Sequence, residues 1–583
     1  MDQGMDGGRR RLIATAGPGG SASVPAQWGR TPVRASVRLG AFGRTLGWLL
    51  VAAVPLGFLA VFFVWPVASL VGKGFFDARG FSLTGVSEVI SAPRTWRIIA
   101  QTLAQAAAGT ALSVLLGVPG AYVLYRCRFP GRRFVRAVVA VPFVLPSVVV
   151  GVGFRSLLAE NGPLGFLGWS ESFPAVVAAL VFFNYSVVVR TVGTLWARLD
   201  RRTADAARSL GAGSVRVWWT VTLPALAPAI ASAAALTFLF CASAFGVVLI
   251  LGGESWGTIE TEIWYQTTQL LDLPAAAALS ILQLVVVAAS LVVADITRAR
   301  QERALRLAGA PVEHRLRRGD LPAAALTALV VVGLLMAPML TLVWRSLQTA
   351  DGVGWGNYLR LTEGDGMPSV VEATINSLTT AVVATAIAVL LGVAVSVLLS
   401  RRPSATGLRH ALRAADAAFM LPLGVSAVTV GFGFLITVNR PPLDLRSSWL
   451  LVPIAQAIVA LPLVVRSLLP TLRAIDPRLH QAAASLGASP SRVLRTVDAS
   501  LARRGLGLAV GFAFATSLGE FGATTFLARP DRPTLPVEIF RLISRPGIDN
   551  LGAALAASVV LAALTATVMA VAEWVGPREG QAW

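Results

Sequence analysis

Long apolar runs recur along the whole of this 583-residue chain, and each is long enough to cross the hydrocarbon core of a bilayer as a helix. Charged residues make up only 14% of the chain, whereas a soluble domain has about 25%. The pattern therefore predicts an all-α polytopic membrane protein with about twelve transmembrane helices. The runs are residues 46–70, 98–125, 134–154, 174–195, 223–251, 274–296, 322–345, 375–399, 415–437, 449–469, 505–528 and 551–573.

The net charge of +20 is concentrated in arginine-rich segments that alternate with segments poor in basic residues. Basic segments lie at 126–136 and 298–318, whereas 252–272 carries acidic residues and no basic one. This alternation follows the positive-inside rule, so we expect both termini and the basic segments in the cytoplasm, beside the anionic lipid of the bilayer. It accounts for the positive charge without a nucleic-acid partner. Residues 1–45, rich in arginine, glycine and serine, are predicted to form a basic disordered tail.

Residue types that build metal and nucleotide sites are scarce. The two cysteines lie far apart and the three histidines fall in separate basic segments, which predicts neither a disulfide framework nor a metal centre. A Walker A loop needs a lysine after a glycine-rich stretch, and the single lysine, Lys73, does not lie in one. We therefore expect no catalytic residues, no cofactor bound by this chain, and any ATP use in partner subunits. The cysteines and histidines are Cys127, Cys241, His314, His410 and His480.

The chain contains one internal repeat. DAARSLGAGSVRV begins at position 205, and QAAASLGASPSRV begins 276 residues later. LLGVPGAYVLYRCR (115–128) likewise resembles LLGVAVSVLLSRR (390–402). With about six spans in each half, the two repeats are parallel in the membrane. We expect a first repeat at 46–297, a cytoplasmic linker at 298–320, a second repeat at 321–576 and a C-terminal tail at 577–583.

The repeated phrase predicts two short helices joined by a glycine turn. In the second copy, Asp476 and Pro477 are typical of a helix start, and Gly487 suits the left-handed position just after a helix end. The first copy has an aspartate and a glycine at the matching positions. These segments, 200–224 and 476–500, fall between the fourth and fifth spans of each half, on the cytoplasmic side. Their alanines leave room for another protein surface to approach closely.

This pattern resembles the EAA loop of type I ABC-importer permeases, in which an acidic residue, two alanines and a glycine precede a Leu-Pro pair. The second copy departs from it, with a glutamine for the acid and Ala499-Ser500 for Leu-Pro. The resemblance implies the type I importer membrane fold and docking of two ABC ATPase subunits, with the second loop the weaker. The matching residues are Asp205, Ala206, Ala207, Gly211, Leu223 and Pro224 in the first copy, and Gln481, Ala482, Ala483 and Gly487 in the second.

Other stretches resemble the fused, two-in-one permeases of thiamine and ferric-iron importers: FNYSVVVRTV (183–192), LGGESWGTIETEIWYQ (251–266) and TLPVEIFRLI (534–543). GEFGATTFLARPDRPTLP (519–536) also resembles sulfate and molybdate permeases. The resemblance implies a permease subunit of the bacterial cell membrane that forms the path for a small solute, with thiamine or iron favoured over an oxyanion. A separate extracytoplasmic binding protein would deliver the solute. An ion-coupled secondary transporter is the alternative, and a non-transporting scaffold is a further one.

Glu520 is the one acidic residue that the sequence places well inside an apolar run. A charged residue at the centre of a membrane helix costs about 2.5–3.5 kcal/mol, so it usually faces a cavity or a partner. We expect Glu520, with Phe521 and Gly522, to line the translocation path on the outward side. A structural carboxylate that bonds neighbouring residues is the alternative. Asn184, in the fourth span, is a second candidate, for which a helix–helix hydrogen bond is the commoner role.

Overall fold

Helices account for most of the chain that the structure describes, because a backbone in lipid must satisfy its own hydrogen bonds. The computed structural model describes residues 51–575, without 78, 79, 82, 83, 254, 308–312, 351, 365–367, 401–405, 441, 442 and 446. The predicted tails at 1–45 and 577–583 lie outside the described residues. From Val51 onward the chain forms one unit, in which the two predicted repeats pack together.

The first half contributes helices α1 to α11. They are α1 (Val51–Phe75), α2 (Thr84–Ser91), α3 (Pro93–Arg126), α4 (Arg132–Ala140), α5 (Ser147–Leu158), α6 (Phe173–Arg198), α7 (Arg201–Ser209), α8 (Ser214–Ala242), α9 (Gly246–Leu251), α10 (Ile259–Thr268) and α11 (Leu273–Leu307). Because α11 continues to Leu307, the predicted end of the first repeat at 297 falls inside a helix rather than at a boundary.

The second half contributes helices α12 to α23. They are α12 (Arg318–Ser346), α13 (Gly356–Leu359), α14 (Val370–Ser400), α15 (Thr406–Gly424), α16 (Ala427–Thr437), α17 (Leu451–Arg473), α18 (Pro477–Ser485), α19 (Pro490–Val493), α20 (Ala499–Leu518), α21 (Thr524–Leu527), α22 (Leu535–Ile543) and α23 (Ile548–Val575).

Nine helices of the described residues are long and apolar enough to cross a membrane unbroken: α1, α3, α6, α8, α11, α12, α14, α17 and α23. Two more predicted spans are bent helix pairs. α4 and α5 meet at 107°, just before Ser147, and α15 and α16 meet at 91°. The remaining span corresponds to α20, whose apolar part, Gly505–Leu518, is shorter. The predicted all-α polytopic membrane fold is confirmed, with two of its spans broken.

The first span of each half packs against the other half. α1 contacts α16, and α12 contacts α5. Glycines permit both contacts: a Cβ on Gly433 would lie 3.4 Å from the Pro66 carbonyl oxygen, and a Cβ on Gly153 would lie 3.3 Å from that of Pro338. The two contacts use equivalent positions of the repeat, so the first span of each half packs against the other half in the same way.

Short strands occur only as pairs of two residues in the described chain. β1 (Phe76–Asp77) pairs with β2 (Gly80–Phe81), β5 (Gln348–Thr349) with β6 (Gly352–Val353), and β7 (Asn439–Arg440) with β8 (Leu443–Asp444), all antiparallel. β3 (Cys127–Arg128) pairs in parallel with β4 (His314–Arg315), and this pair ties the predicted linker to the loop after α3.

Glu313 reinforces the attachment of the linker. Its carboxylate accepts hydrogen bonds from Arg128 Nε at 2.6 Å and from Arg132 at 3.0 Å. Partial burial acts to raise the pKa of Glu313, but the bonds from Arg132 and Arg128 outweigh it and hold the pKa below its ordinary value. Residues 313–315 of the linker are therefore attached to the first half by backbone pairing and by ion pairs.

Candidate functional site

Both predicted docking loops form the same helix pair. In the first copy, the Asp200 carboxylate accepts a hydrogen bond from the backbone N–H of Arg202 at 2.9 Å and so caps α7. Gly211 follows the helix with φ +85°, a left-handed conformation that favours glycine. In the second copy, Asp476 caps α18 at the same distance, and Gly487 has φ +76°. The two loops fold alike although their sequences differ.

A π turn lies between each glycine turn and the long helical segment that follows, in α8 of the first copy and before α20 of the second. The π turn covers Trp218–Thr222 in the first copy and Leu494–Asp498 in the second. Leu223 and Pro224 follow it in the first copy, and Ala499-Ser500 in the second. Because both copies form the turn, it does not depend on the Leu-Pro pair.

The surface of each helix pair is open to solvent in the isolated chain. Its most exposed large apolar side chains are Leu210 and Leu486, which occupy equivalent positions and are each 88% exposed. Apolar side chains exposed to this degree mark surfaces that bind a partner when they occur in a group. Sequence reasoning missed these leucines, although the triplet SLG in both copies was the available signal. The predicted residues Asp205, Ala206, Gly211, Pro224, Gln481, Ala482 and Gly487 are exposed, and Ala207, Leu223 and Ala483 are half-buried.

The two helix pairs differ in their polar contacts. Asp205 pairs with Arg208 at 2.8 Å on the surface of α7, whereas the second copy has Gln481 instead of the acid. In the second copy, His480 Nε2 lies 2.5 Å from Asp498 Oδ1 and links α18 to the π turn. The ring of His480 thus connects two elements of the loop.

At the centre of the molecule, equivalent residues of the two halves contact each other. The rings of Phe245 and Phe521, which are 276 positions apart, stack with centroids 5.6 Å apart. Trp264 and Phe540, also 276 positions apart, meet edge to face at 5.9 Å. Gly522 is closed in by α16, since a Cβ on it would lie 2.9 Å from Ala427 Cβ. Of the residues predicted to line the path, Phe521 thus lies in the contact between the halves, and Gly522 is packed against α16 of its own half.

Glu520 is buried and bonded within its own loop. Its two carboxylate oxygens accept hydrogen bonds from the backbone N–H groups of Ala523 at 2.7 Å and Thr524 at 3.0 Å. The Thr524 hydroxyl donates to the Glu520 carbonyl oxygen at 2.8 Å. The carboxylate therefore caps α21 and holds the chain at its turn away from α20. This geometry favours the structural alternative for Glu520 over a role in the path.

Replacing Glu520 with glutamine tests this role. The glutamine side chain keeps one oxygen acceptor, but its NH₂ group faces a backbone N–H, so one hydrogen bond is lost. We expect the free energy of unfolding to fall by about 1–3 kcal/mol. The thermal unfolding midpoint of the purified permease should fall, while uptake per folded molecule stays unchanged. The exposed Glu363→Gln serves as the control. An unchanged thermal unfolding midpoint combined with lost uptake would show instead that Glu520 acts in the translocation path.

Asn184 lies between helices and is 3% exposed. Its side-chain amide donates to the Leu180 carbonyl oxygen at 2.9 Å and to Cys241 Sγ at 3.4 Å, which links α6 to α8. These contacts agree with the helix–helix role for Asn184.

Three further buried carboxylates were missed by sequence reasoning, which placed two of them in an outer loop. Glu260 is fully buried on α10, where it accepts hydrogen bonds from Gln283 Nε2 at 2.8 Å and from the Ser426 hydroxyl of the other half at 2.7 Å. Glu262 and Glu538 are related by 276 positions and pair with arginines. The shared TEI and VEI patterns were the only sequence signal, because carboxylates lower the hydropathy that identifies spans.

The helix pairs and the central contact can be compared with known proteins. Residues 109–307 match the family model of the binding-protein-dependent transport system inner membrane component. The thiamine transport system permease protein of Brucella abortus is 26% identical over 507 residues, which cover 82% of this chain and 87% of that protein. A probable ABC transporter permease protein of Sinorhizobium fredii is 25% identical over 574 residues, covering 92% and 97%.

A further relative shows the family directly. The sulfate transport system permease protein of Escherichia coli is 31% identical over 255 residues, which cover 42% of this chain and 89% of that protein. A match to most of a single permease by less than half of this chain agrees with a fused, two-repeat layout. These similarities favour the ABC importer over an ion-coupled secondary transporter. The chain belongs to the family of inner membrane components of binding-protein-dependent transport systems, and it is the permease of an ABC importer.

Proposed function

We propose that each of the two cytoplasmic helix pairs docks onto one ATPase subunit, so that this single chain takes two. Permeases of this family work with ATPase and binding-protein partners in general. The observation that supports two docking sites is the repetition of the capped helix, the glycine turn and the 88% exposed leucine in both halves. ATP hydrolysis then belongs to the partner subunits, and both chain termini lie on the same cytoplasmic side as the helix pairs.

We propose that the cargo is a small organic cation of the thiamine type, delivered by a separate binding protein on the outer side. The supporting observation is a group of buried carboxyl side chains, one of which, Glu260, bonds a residue of the other half. Glu262 and Glu538 have arginine partners, whereas the hydrogen bonds described for Glu260 and Glu520 come from neutral donors. Carboxylates at this depth commonly mark substrate or ion pathways. Opening of the central contact would expose Glu260 toward the solute.

An oxyanion is the second candidate cargo, and a different cluster favours it. Arg190 and Arg466 end the equivalent phrases VVVR and LVVR of the two repeats, and both are exposed. Arg190, Arg298 and Asp295 lie near enough to Arg466 for their charges to act on it. A positive cluster on the equivalent helices of both halves would suit an anion at the cytoplasmic end of the path.

The two cargo candidates can be separated by stimulation of ATP hydrolysis. The permease and its ATPase subunits are reconstituted into proteoliposomes, and binding protein loaded with thiamine or with sulfate is added outside. We expect the thiamine-loaded protein to raise the hydrolysis rate and the sulfate-loaded protein to leave it at the basal value. Stimulation by sulfate alone would overturn the cationic cargo. The exposed Glu302→Gln should behave as the wild type, whereas Glu260→Gln should reduce the response.

A further inference from the structure

The linker brings together three side chains that commonly bind metals, although the sequence predicted no metal centre. Cys127, His314 and Asp320 each offer one ligand atom, and these atoms all lie within 4.8 Å of one another. Cys127 lies in β3 and His314 in β4, so the parallel strand pair sets their separation. Asp320 lies where the linker enters α12. Because the cysteine and the histidine are 187 positions apart, no local spacing could reveal the cluster.

Two of the three distances between ligand atoms lie close to those around a tetrahedral ion, and the third is at most 4.8 Å. His314 Nε2 lies 3.8 Å from Cys127 Sγ and 3.2 Å from Asp320 Oδ2. Zinc bonds of 2.0–2.3 Å place neighbouring ligand atoms about 3.3–3.7 Å apart. Small side-chain shifts therefore suffice to close the site around an ion. Thiolate and imidazole ligands select zinc and similar soft divalent ions over magnesium or calcium.

The surroundings of the cluster support an ion in two ways. Tyr122 donates a hydrogen bond to Asp320 Oδ1 at 2.7 Å and the Arg317 backbone N–H donates to Oδ2 at 2.9 Å, so the carboxylate is held in place as outer partners hold a metal ligand. The nearby arginines Arg128 and Arg132 are engaged by Glu313, which offsets their repulsion of a cation. A surface cavity of about 730 Å³, lined in part by His314, provides access for the ion and for a water as fourth ligand.

We propose that Cys127, His314 and Asp320 form a binding site for a zinc-like divalent cation that clasps the linker to the first half. Binding releases the thiol proton of Cys127 and uses a neutral His314, so the thiolate and the carboxylate balance the two charges of the ion. β3 follows α3 of the first half and β4 precedes α12 of the second. The ion therefore joins the cytoplasmic ends of the two halves beyond their helix packing.

Cobalt(II) titration of the purified full-length permease tests the site, because a thiolate ligand gives cobalt a charge-transfer absorption. We expect one cobalt per chain, displaced by zinc, with the absorption lost in Cys127→Ser and retained in Cys241→Ser. His314→Gln should weaken binding by about 100-fold, whereas His410→Gln should not change it. Equal binding by the Cys127 and Cys241 variants would overturn the proposal.

Hydrogen exchange on the wild-type chain provides a second test that does not depend on whether the variants fold. Stoichiometric zinc should slow hydrogen exchange of the β4 amides at His314 and Arg315, while exchange in the equally short β5 and β6 stays the same. Unchanged exchange in β4 at saturating zinc would contradict the clasp. Neither experiment involves transport or an ATPase, so its result is independent of the proposed cargo and docking sites.

Discussion

Replacing Leu210 and Leu486 together with aspartate should abolish ATP-driven uptake and leave the permease folded in the membrane. Each leucine is 88% exposed in the isolated chain, so its removal costs the fold little. Burying such a side chain in a partner contributes about 1.5–3 kcal/mol, which corresponds to roughly 10- to 100-fold in affinity at each site. An aspartate there also places a charge in an apolar contact. Co-purification of the ATPase subunits and uptake in proteoliposomes measure the loss.

A matched control and the two single variants show whether the loss is specific to the helix pairs. Leu408, an exposed leucine outside the helix pairs, serves as control, and Leu408→Asp should retain the ATPase subunits. Leu210→Asp alone should cost more than Leu486→Asp alone, because the first loop keeps Asp205 and the second has Gln481. Normal co-purification and uptake by the double variant would show that the helix pairs do not dock the ATPase.

Replacing Glu260 with alanine should strongly reduce the amount of folded permease. The substitution leaves the Gln283 amide and the Ser426 hydroxyl without the carboxylate that binds both, and it opens a cavity between the halves. Each buried donor without a partner costs about 1–3 kcal/mol, a large part of a typical stability of about 5–15 kcal/mol. The yield of monodisperse protein and its thermal unfolding midpoint measure the effect.

Conservative variants separate the contacts of Glu260. Glu260→Gln keeps one acceptor and should fold with an intermediate midpoint. Ser426→Ala removes the bond between the halves but also the cap of α16, where the Ser426 hydroxyl accepts from the Val428 N–H at 3.1 Å. Glu302→Ala, which changes an exposed glutamate on α11, should leave the midpoint unchanged. A Glu260→Ala permease as stable as the wild type would show that this contact does not hold the halves together.

Much of the fold follows from hydropathy alone, because each span must be apolar along its length. The interior prolines did not by themselves indicate where helices break. Pro119 lies inside the unbroken α3, whereas Pro146 precedes α5 at a 107° bend. Pro146 occupies the position just before α5 begins, whereas Pro119 is accommodated within α3, as membrane helices allow. The packing of α1 on α16 and of α12 on α5 could not be predicted from the sequence, because it depends on contacts between residues far apart in the chain.

In the candidate site, too, local contacts could be predicted from the sequence and long-range contacts could not. The helix caps and glycine turns of the docking loops were predictable, because Asp200, Asp476, Gly211 and Gly487 act on their own backbone. The contacts of Glu260 with Ser426 and of His314 with Cys127 were not, because these partners lie 166 and 187 positions away in the chain. Glu520 was singled out by its charge, and only the local geometry distinguishes a cap from a path residue.

The source of energy for transport tests the central claim most directly. Proteoliposomes containing this permease, its ATPase subunits and solute-loaded binding protein are assayed for uptake with ATP on the ATPase side, and separately with a proton or sodium gradient and no ATP. We predict solute accumulation with ATP and none with either gradient. Accumulation driven by a gradient in the absence of ATP would contradict the assignment as an ABC importer permease.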